Sequence, residues 1–168
     1  LMERVELFRE LARENQCYTG PRRFASAHTR VLYFAGRQLD PDVEAYDDTR
    51  LEVIVMSGLA GAGKDRWIAE NLPGWPVVSL DAIRGEMGIA PEENQGTVAS
   101  RARKLARGLL RQGRPFVWNE TNTTRAMRRQ LVGLLTDYQA RVRIVYIETA
   151  WGELLRRNRA RTAPVPDP

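Results

Sequence analysis

One cysteine, one histidine and two lysines are all that this chain of 168 residues has of those three types. A lone Cys17 excludes an internal disulfide framework and any metal site built from several cysteines. A lone His28 excludes a histidine-rich zinc site. No apolar run approaches the roughly 20 residues that a membrane-crossing helix needs, and no signal-peptide pattern opens the chain. A cytoplasmic protein with no membrane contact is therefore expected. Internal repeats and low-complexity segments are also missing. With 43% hydrophobic and 28% charged residues, the composition is that of a globular chain able to bury a core, not of a disordered or fibrous one. The length suits one ordinary domain.

Positive charge is present in excess and unevenly spread. The formal net charge is +5. Residues 1–50 carry 8 basic and 9 acidic groups, whereas residues 51–168 carry 18 and 12. The surplus lies wholly in the second part, as expected of a part that handles phosphates or nucleic acid. Arg outnumbers Lys by 24 to 2, which suits bidentate phosphate contacts but follows equally from codon bias.

The pattern of the chain changes near residue 50. Apolar groups at Val5, Phe8, Leu11 and Ala12 have helical spacing, and a second such pattern runs over 22–38 before an acidic loop. Residues 1–50 thus read as two helices and a linker, with nothing that suggests chemistry. From 51 onward strands and helices alternate. Short apolar or β-branched runs at 51–56, 76–80, 115–118 and 141–147 read as strands, and 64–71, 92–112, 123–137 and 151–160 as helices. This order predicts an α/β fold, a parallel sheet flanked by helices on both faces, with a helical extension before it; the motif that follows the first strand makes it a P-loop NTPase-type sheet. Ligands of such sheets bind at the carboxyl ends of the strands. The first and last residues look cut, so a fragment of a longer polypeptide is expected, ending just past a lid segment.

The strongest motif follows the first strand directly. Gly58-Leu59-Ala60-Gly61-Ala62-Gly63-Lys64-Asp65 fits G-x-x-x-x-G-K, with Asp65 where Ser or Thr is usual. Backbone amides around Gly58, Gly61, Ala62 and Gly63 form an anion nest, the helix N-terminus adds positive potential, and Lys64 bridges the two terminal phosphates of an NTP. The carboxylate of Asp65 suits Mg²⁺, contacted directly or through water. Asp81 is expected to end the second strand and to face this loop across the mouth of the sheet. There it would take the proton of an attacking hydroxyl in phosphoryl transfer, or serve merely as a helix N-cap. The third strand runs out into a polar stretch, Asn119 to Arg125, where Thr123 or Thr124 suits a cap and Asn122 and Arg125 are the better candidates for substrate contact. Arg103, Arg107, Arg111 and Arg114 form a stripe that is either solvated surface or a track for a polyanion. The Arg-rich run from Trp151 to Arg161 either closes over a nucleotide or lies on the surface.

Together these residues resemble the polynucleotide 5′-hydroxyl kinases of nucleic-acid repair, within the zeta-toxin-like P-loop kinases. The resemblance spans about 51–166. It rests on Gly58 to Asp65, on Asp81-Ala82-Ile83-Arg84, on Asn119 to Arg125 with Arg128 and Arg129, and on Trp151-Gly152-Glu153-Leu154-Leu155-Arg156-Arg157-Asn158-Arg159-Ala160-Arg161. It implies Asp81 as general base and Arg84 as holder of the acceptor nucleotide's phosphate. Glu120 and Asn122 would line the acceptor pocket, and Arg161 with Arg157 would be lid arginines on the donor phosphates. The activity implied is transfer of the γ-phosphate of ATP or another NTP, with Mg²⁺, to the 5′-hydroxyl of RNA or DNA, as in RNA or DNA repair. Kinases of this kind resemble modules fused to a phosphohydrolase or ligase, which makes 1–50 a candidate edge of a neighbouring module. Two alternatives stay open: a P-loop kinase of a small-molecule or sugar-nucleotide hydroxyl, and a non-catalytic nucleic-acid-binding module switched by nucleotide.

Overall fold

A computed structural model describes residues 2–38, 40–90 and 93–160. The chain divides into two compact units, Leu1–Asp48 and Thr49–Pro168. The first unit holds α1 (Met2–Glu14) and α2 (Ala27–Phe34). The second helix is shorter than its apolar spacing predicts because Ser26 caps it, its hydroxyl accepting from the Thr29 amide at 3.0 Å. Phe24, left outside the helix, packs on the rings of Tyr33 and Phe34 at centroid distances of 5.4 and 5.6 Å. The buried Thr29 hydroxyl ties the following loop back, accepting from the Ala45 amide at 2.9 Å.

The second unit is the predicted α/β sheet. Four parallel strands, β1 (Leu51–Ser57), β2 (Val77–Ser79), β3 (Phe116–Asn119) and β4 (Ala140–Tyr146), lie in the order β2-β3-β1-β4. Helices α3 (Lys64–Asn71), α4 (Leu80–Met87), α5 (Gln95–Arg111), α6 (Arg125–Thr136) and α7 (Trp151–Arg159) connect or follow them. Because β1 is central, both its faces are buried, and its side chains alternate between two cores. Leu51, Val53 and Val55 face a core shared with Val98, Ala102, Ala106 and Leu110 of α5 and Leu131 and Leu135 of α6. Ile54 and Met56 face the other, where Ile68 of α3 covers them. No helix among the described residues is long and apolar enough to cross a membrane.

Most element boundaries depart from the sequence expectation by one to three residues. The helix expected from 92 begins at Gln95. The fourth strand spans 140–146 rather than 141–147. More consequential is α4, which the apolar run through Leu80 conceals. Strand β2 stops at Ser79, whose hydroxyl accepts from the Ala82 amide at 3.3 Å and starts a helix with no intervening loop. Asp81 is therefore neither the end of a strand nor an N-cap. It sits in the first turn of α4, whose Leu80 and Ile83 are buried in the α5 core.

Candidate active site

In a parallel sheet the carboxyl ends of all strands lie on one side, and the sequence motifs converge there. Strand β1 delivers the glycine-rich loop, and that loop is clamped from both neighbours. The Gly58 amide donates to Thr121 O at 2.9 Å after β3, and Ile147 N donates to Ser57 O at 2.8 Å after β4. Only glycine fits at 58. Its φ is +148°, and an added Cβ would lie 2.5 Å from the carbonyl oxygen of Ile147. Gly61 and Gly63 also have positive φ, 80° and 105°, and Gly63 is the N-cap of α3. Ala62 is buried, and its carbonyl accepts from the Thr149 hydroxyl at 2.8 Å. The Lys64 ammonium folds back over the loop and donates to Gly58 O and Leu59 O, both at 2.9 Å.

Asp65 lies exposed in the first turn of α3, where the helix N-terminus favours a negative group. Its Oδ1 accepts from the side-chain amide of Asn119, the last residue of β3, at 2.5 Å. Asn119 is 7% exposed, and its Oδ1 is buried with no hydrogen-bond partner among the described residues. An unpaired buried acceptor costs about 1–3 kcal/mol, so this side chain is poorly explained by packing.

The residues expected on the acceptor side gather around the start of α4 and the end of β3. Ser79 is in register with Asn119, so α4 starts beside the Asp65 contact. On α4, Arg84 donates to Asp81 Oδ1 at 2.6 Å and to Gln95 Oε1 at 3.0 Å. The Asp81 side chain is 69% exposed and that of Arg84 20%. Glu120, half-buried, accepts from the Trp118 indole at 3.2 Å. Burial pushes its carboxyl above the usual range. The Trp118 hydrogen bond and the charges of Arg103 and Arg84 oppose that shift, and the charge of Asp81 adds to it. Glu120, Asp81, Arg84 and Arg103 thus form one electrostatic cluster.

Helix α7 lies over the loop. A Cβ at Gly61 would come within 3.6 Å of Leu154 O, and one at Gly63 within 3.5 Å of the Arg157 guanidinium. Arg157 and Arg156 both pair with Glu153, at 2.6 and 2.5 Å. Those hydrogen bonds, from Arg157 first, hold the Glu153 carboxyl below its usual range. Beside the loop, a groove of about 520 Å³ is lined by Leu59, Ala62, Tyr146, Thr149 and Trp151 among others.

Residues 53–168 match the sequence profile of a family described as an AAA domain. The chain belongs to that family. No curated protein sequence matches it. Among solved structures, this AAA domain is similar to a chain of a Pnkp1/Rnl/Hen1 complex, at 17% identity and a TM-score of 0.57 over 68% of the present chain and 40% of that one. It is also similar to a putative kinase from Chloroflexus aurantiacus, at 18% identity and a TM-score of 0.54 over 66% of each chain. A third likeness is to the Mycobacterium tuberculosis APS kinase CysC in complex with AMPPNP and APS, at 18% identity and a TM-score of 0.51 over 67% and 70%. The chain thus spans less than two thirds of the length of the first two. The shared feature is a kinase-like P-loop fold, a nucleotide-binding architecture.

The AAA domain brings together most residues singled out in the sequence, with two corrections and one omission. Asn122 does not line an open pocket. It is 1% exposed, with φ +46°, and its amide donates to Met56 O at 2.8 Å. Its carbonyl accepts from the Ser57 hydroxyl at 3.1 Å and from Arg128 at 2.8 Å. Asn122 fastens the loop end of β1, and Arg128 closes the same turn by also donating to Thr123 O at 2.8 Å. Arg125 opens α6, exposed, behind the cap that Thr124 provides. Asp81 is on a helix, as described above. Arg161, expected as a lid arginine, lies outside the described residues.

Asn119 was missed in the sequence as a functional residue. The signal was available: an unusual Asp65 in the loop invites a search for a matching polar residue at a neighbouring strand end. No group of three or more His, Cys, Asp or Glu that could hold a metal occurs among the described residues. One exposed carboxylate beside a phosphate loop is nonetheless the donor set Mg²⁺ takes, since it binds through one or two carboxylates, phosphates and retained waters. The orphaned Asn119 beside that carboxylate fits the same purpose.

Glu120 provides a test by pH. A carboxyl raised in the folded state contributes stability that is fully present below its unfolded value and is lost as pH rises through the folded one. Glu120→Gln cannot ionise. Its melting temperature relative to the unaltered domain therefore rises as pH climbs through the ordinary carboxyl range and above it. Thermal melts across that range check this, and a difference flat with pH contradicts it.

Proposed function

We propose that the domain transfers the γ-phosphate of ATP, or another NTP, to the 5′-hydroxyl end of RNA or DNA. The observation that carries this reading is the Asp81–Arg84 pair. It stands on the first turns of α4, at the same end of the sheet as the phosphate loop, with Glu120 and Arg103 around it. A nucleotide-binding switch has no need of a carboxylate there. APS kinase shares the fold, so the fold alone does not select the acceptor. The Asp-x-x-Arg sequence, the positive surplus of 51–168 and the Arg-rich α7 support a polyanionic one.

In this reading the amides of 58–63 and Lys64 hold the donor phosphates, and Arg84 holds the acceptor's phosphate. The 5′ oxygen forms a bond to the γ-phosphorus as the bond to the β-phosphate oxygen breaks, and the hydroxyl proton passes to Asp81. Arg157, over Gly63, offsets charge on the migrating group. Asp65 would hold Mg²⁺, which when bound neutralises phosphate charge. Incubation with γ-labelled ATP and a panel of 5′-hydroxyl RNA and DNA oligonucleotides is the test. Labelled oligonucleotide is expected. Label found only on small alcohols, or on no acceptor, overturns the assignment.

A further inference from the structure

In P-loop NTPases Mg²⁺ is held by a Ser or Thr of the loop and by an Asp outside it. Here the loop position carries Asp65, and the end of β3, the strand hydrogen-bonded beside β1, carries Asn119. The two side chains touch. We propose that carboxylate and neutral partner have exchanged places: Asp65 supplies the one carboxylate for the nucleotide's Mg²⁺, and Asn119 is the positioning residue that fixes it. The inference rests on the nucleotide-binding part of the reading above, not on the acceptor.

Two observations and one electrostatic argument converge. A carboxylate only accepts hydrogen bonds, so the contact runs from Asn119 Nδ2 to Asp65 Oδ1, and the amide's orientation is set by its partner. The other half of that amide is buried with no partner, so the side chain is kept for its donor. An Asp at 119 facing Asp65 at this distance would set two negative charges in contact, so one must be neutral. The exchange leaves the number of carboxylates beside the triphosphate unchanged.

The test reads metal-dependent binding, not turnover. AMPPNP affinity is measured by calorimetry in excess Mg²⁺ and in EDTA, and the ratio of the two is compared across variants. Asp65→Ser lowers that ratio by about 10–100-fold, the scale on which ligands and their supports act. Asp65→Asn, equal in size and also uncharged, does the same. Asn119→Asp alone weakens binding in EDTA, because two carboxylates then face the phosphates. The double variant Asp65→Ser with Asn119→Asp regains the ratio. A merely structural Asn119 would give no such rescue.

An Asp65→Ser ratio equal to that of the unaltered domain overturns the proposal, as does a double variant no better than Asp65→Ser. The acceptor assignment is separable. Rescue of the ratio in a domain that labels no oligonucleotide keeps this inference and removes the other. Oligonucleotide labelling with no rescue does the reverse.

Discussion

Asp81→Asn lowers turnover on 5′-hydroxyl oligonucleotides by about 10²–10⁴-fold, the scale lost with a positioned general base. Nucleotide affinity and melting temperature change little, because the side chain is 69% exposed and belongs to α4 rather than to the glycine-rich loop. The substitution keeps an acceptor oxygen for Arg84, so the helix turn holds together while the proton acceptor is gone. Steady-state labelling kinetics, with AMPPNP binding as the control, separate the two roles. Full activity in the variant removes Asp81 from the chemistry. Parallel loss of turnover and melting temperature would make the Arg84 pair a structural brace.

Lys64→Met has an effect of similar size on the donor side. The ammonium spans Gly58 O and Leu59 O, a contact within the loop that in the proposed function gives way to a terminal phosphate. Removing one preorganised donor to transition-state charge costs about 10²–10³-fold in kcat. Methionine keeps the length and apolar stem of the lysine, so the loop retains its packing. Turnover and AMPPNP affinity therefore fall together, and circular dichroism melts shift little. Unchanged kcat contradicts the placement of Lys64 against the donor phosphates.

Much of this arrangement is legible before any coordinates. β1 is mostly apolar because it is central, and the loop that follows has the spacing phosphate binding demands. The two stretches flanking Lys64 and Asp65 therefore announce themselves. Helix α4 does not. Its eight residues follow β2 without a turn, and Leu80 prolongs the apolar run of the strand. The spacing of Leu80, Ile83 and Met87 was the available sign of a helix, weakened by Gly85 within it.

Asn122 misleads for another reason. A polar residue after a strand end looks available for a ligand, yet backbone groups freed where a strand stops also require partners. Here the carbonyl of Met56 takes that amide. Arg128 is similar, a cation spent on two carbonyl oxygens rather than on a phosphate. Sequence spacing locates such groups but does not say whether they point outward. Asn119 shows the converse, a buried amide whose purpose emerges only beside Asp65.

The unequal anchoring of the two halves of the cleft bears on how such a domain diversifies. The donor cradle hangs on β1, which pairs with β4 through seven residues and with β3 through three, while α4 hangs on an edge strand of three residues. Local opening follows the number of cooperative contacts, so the amides of β1 are among the slowest to exchange and those of α4 loosen first. Substitutions that refit the proposed acceptor side are thus absorbed at the periphery, leaving the strand that carries the glycine-rich loop undisturbed.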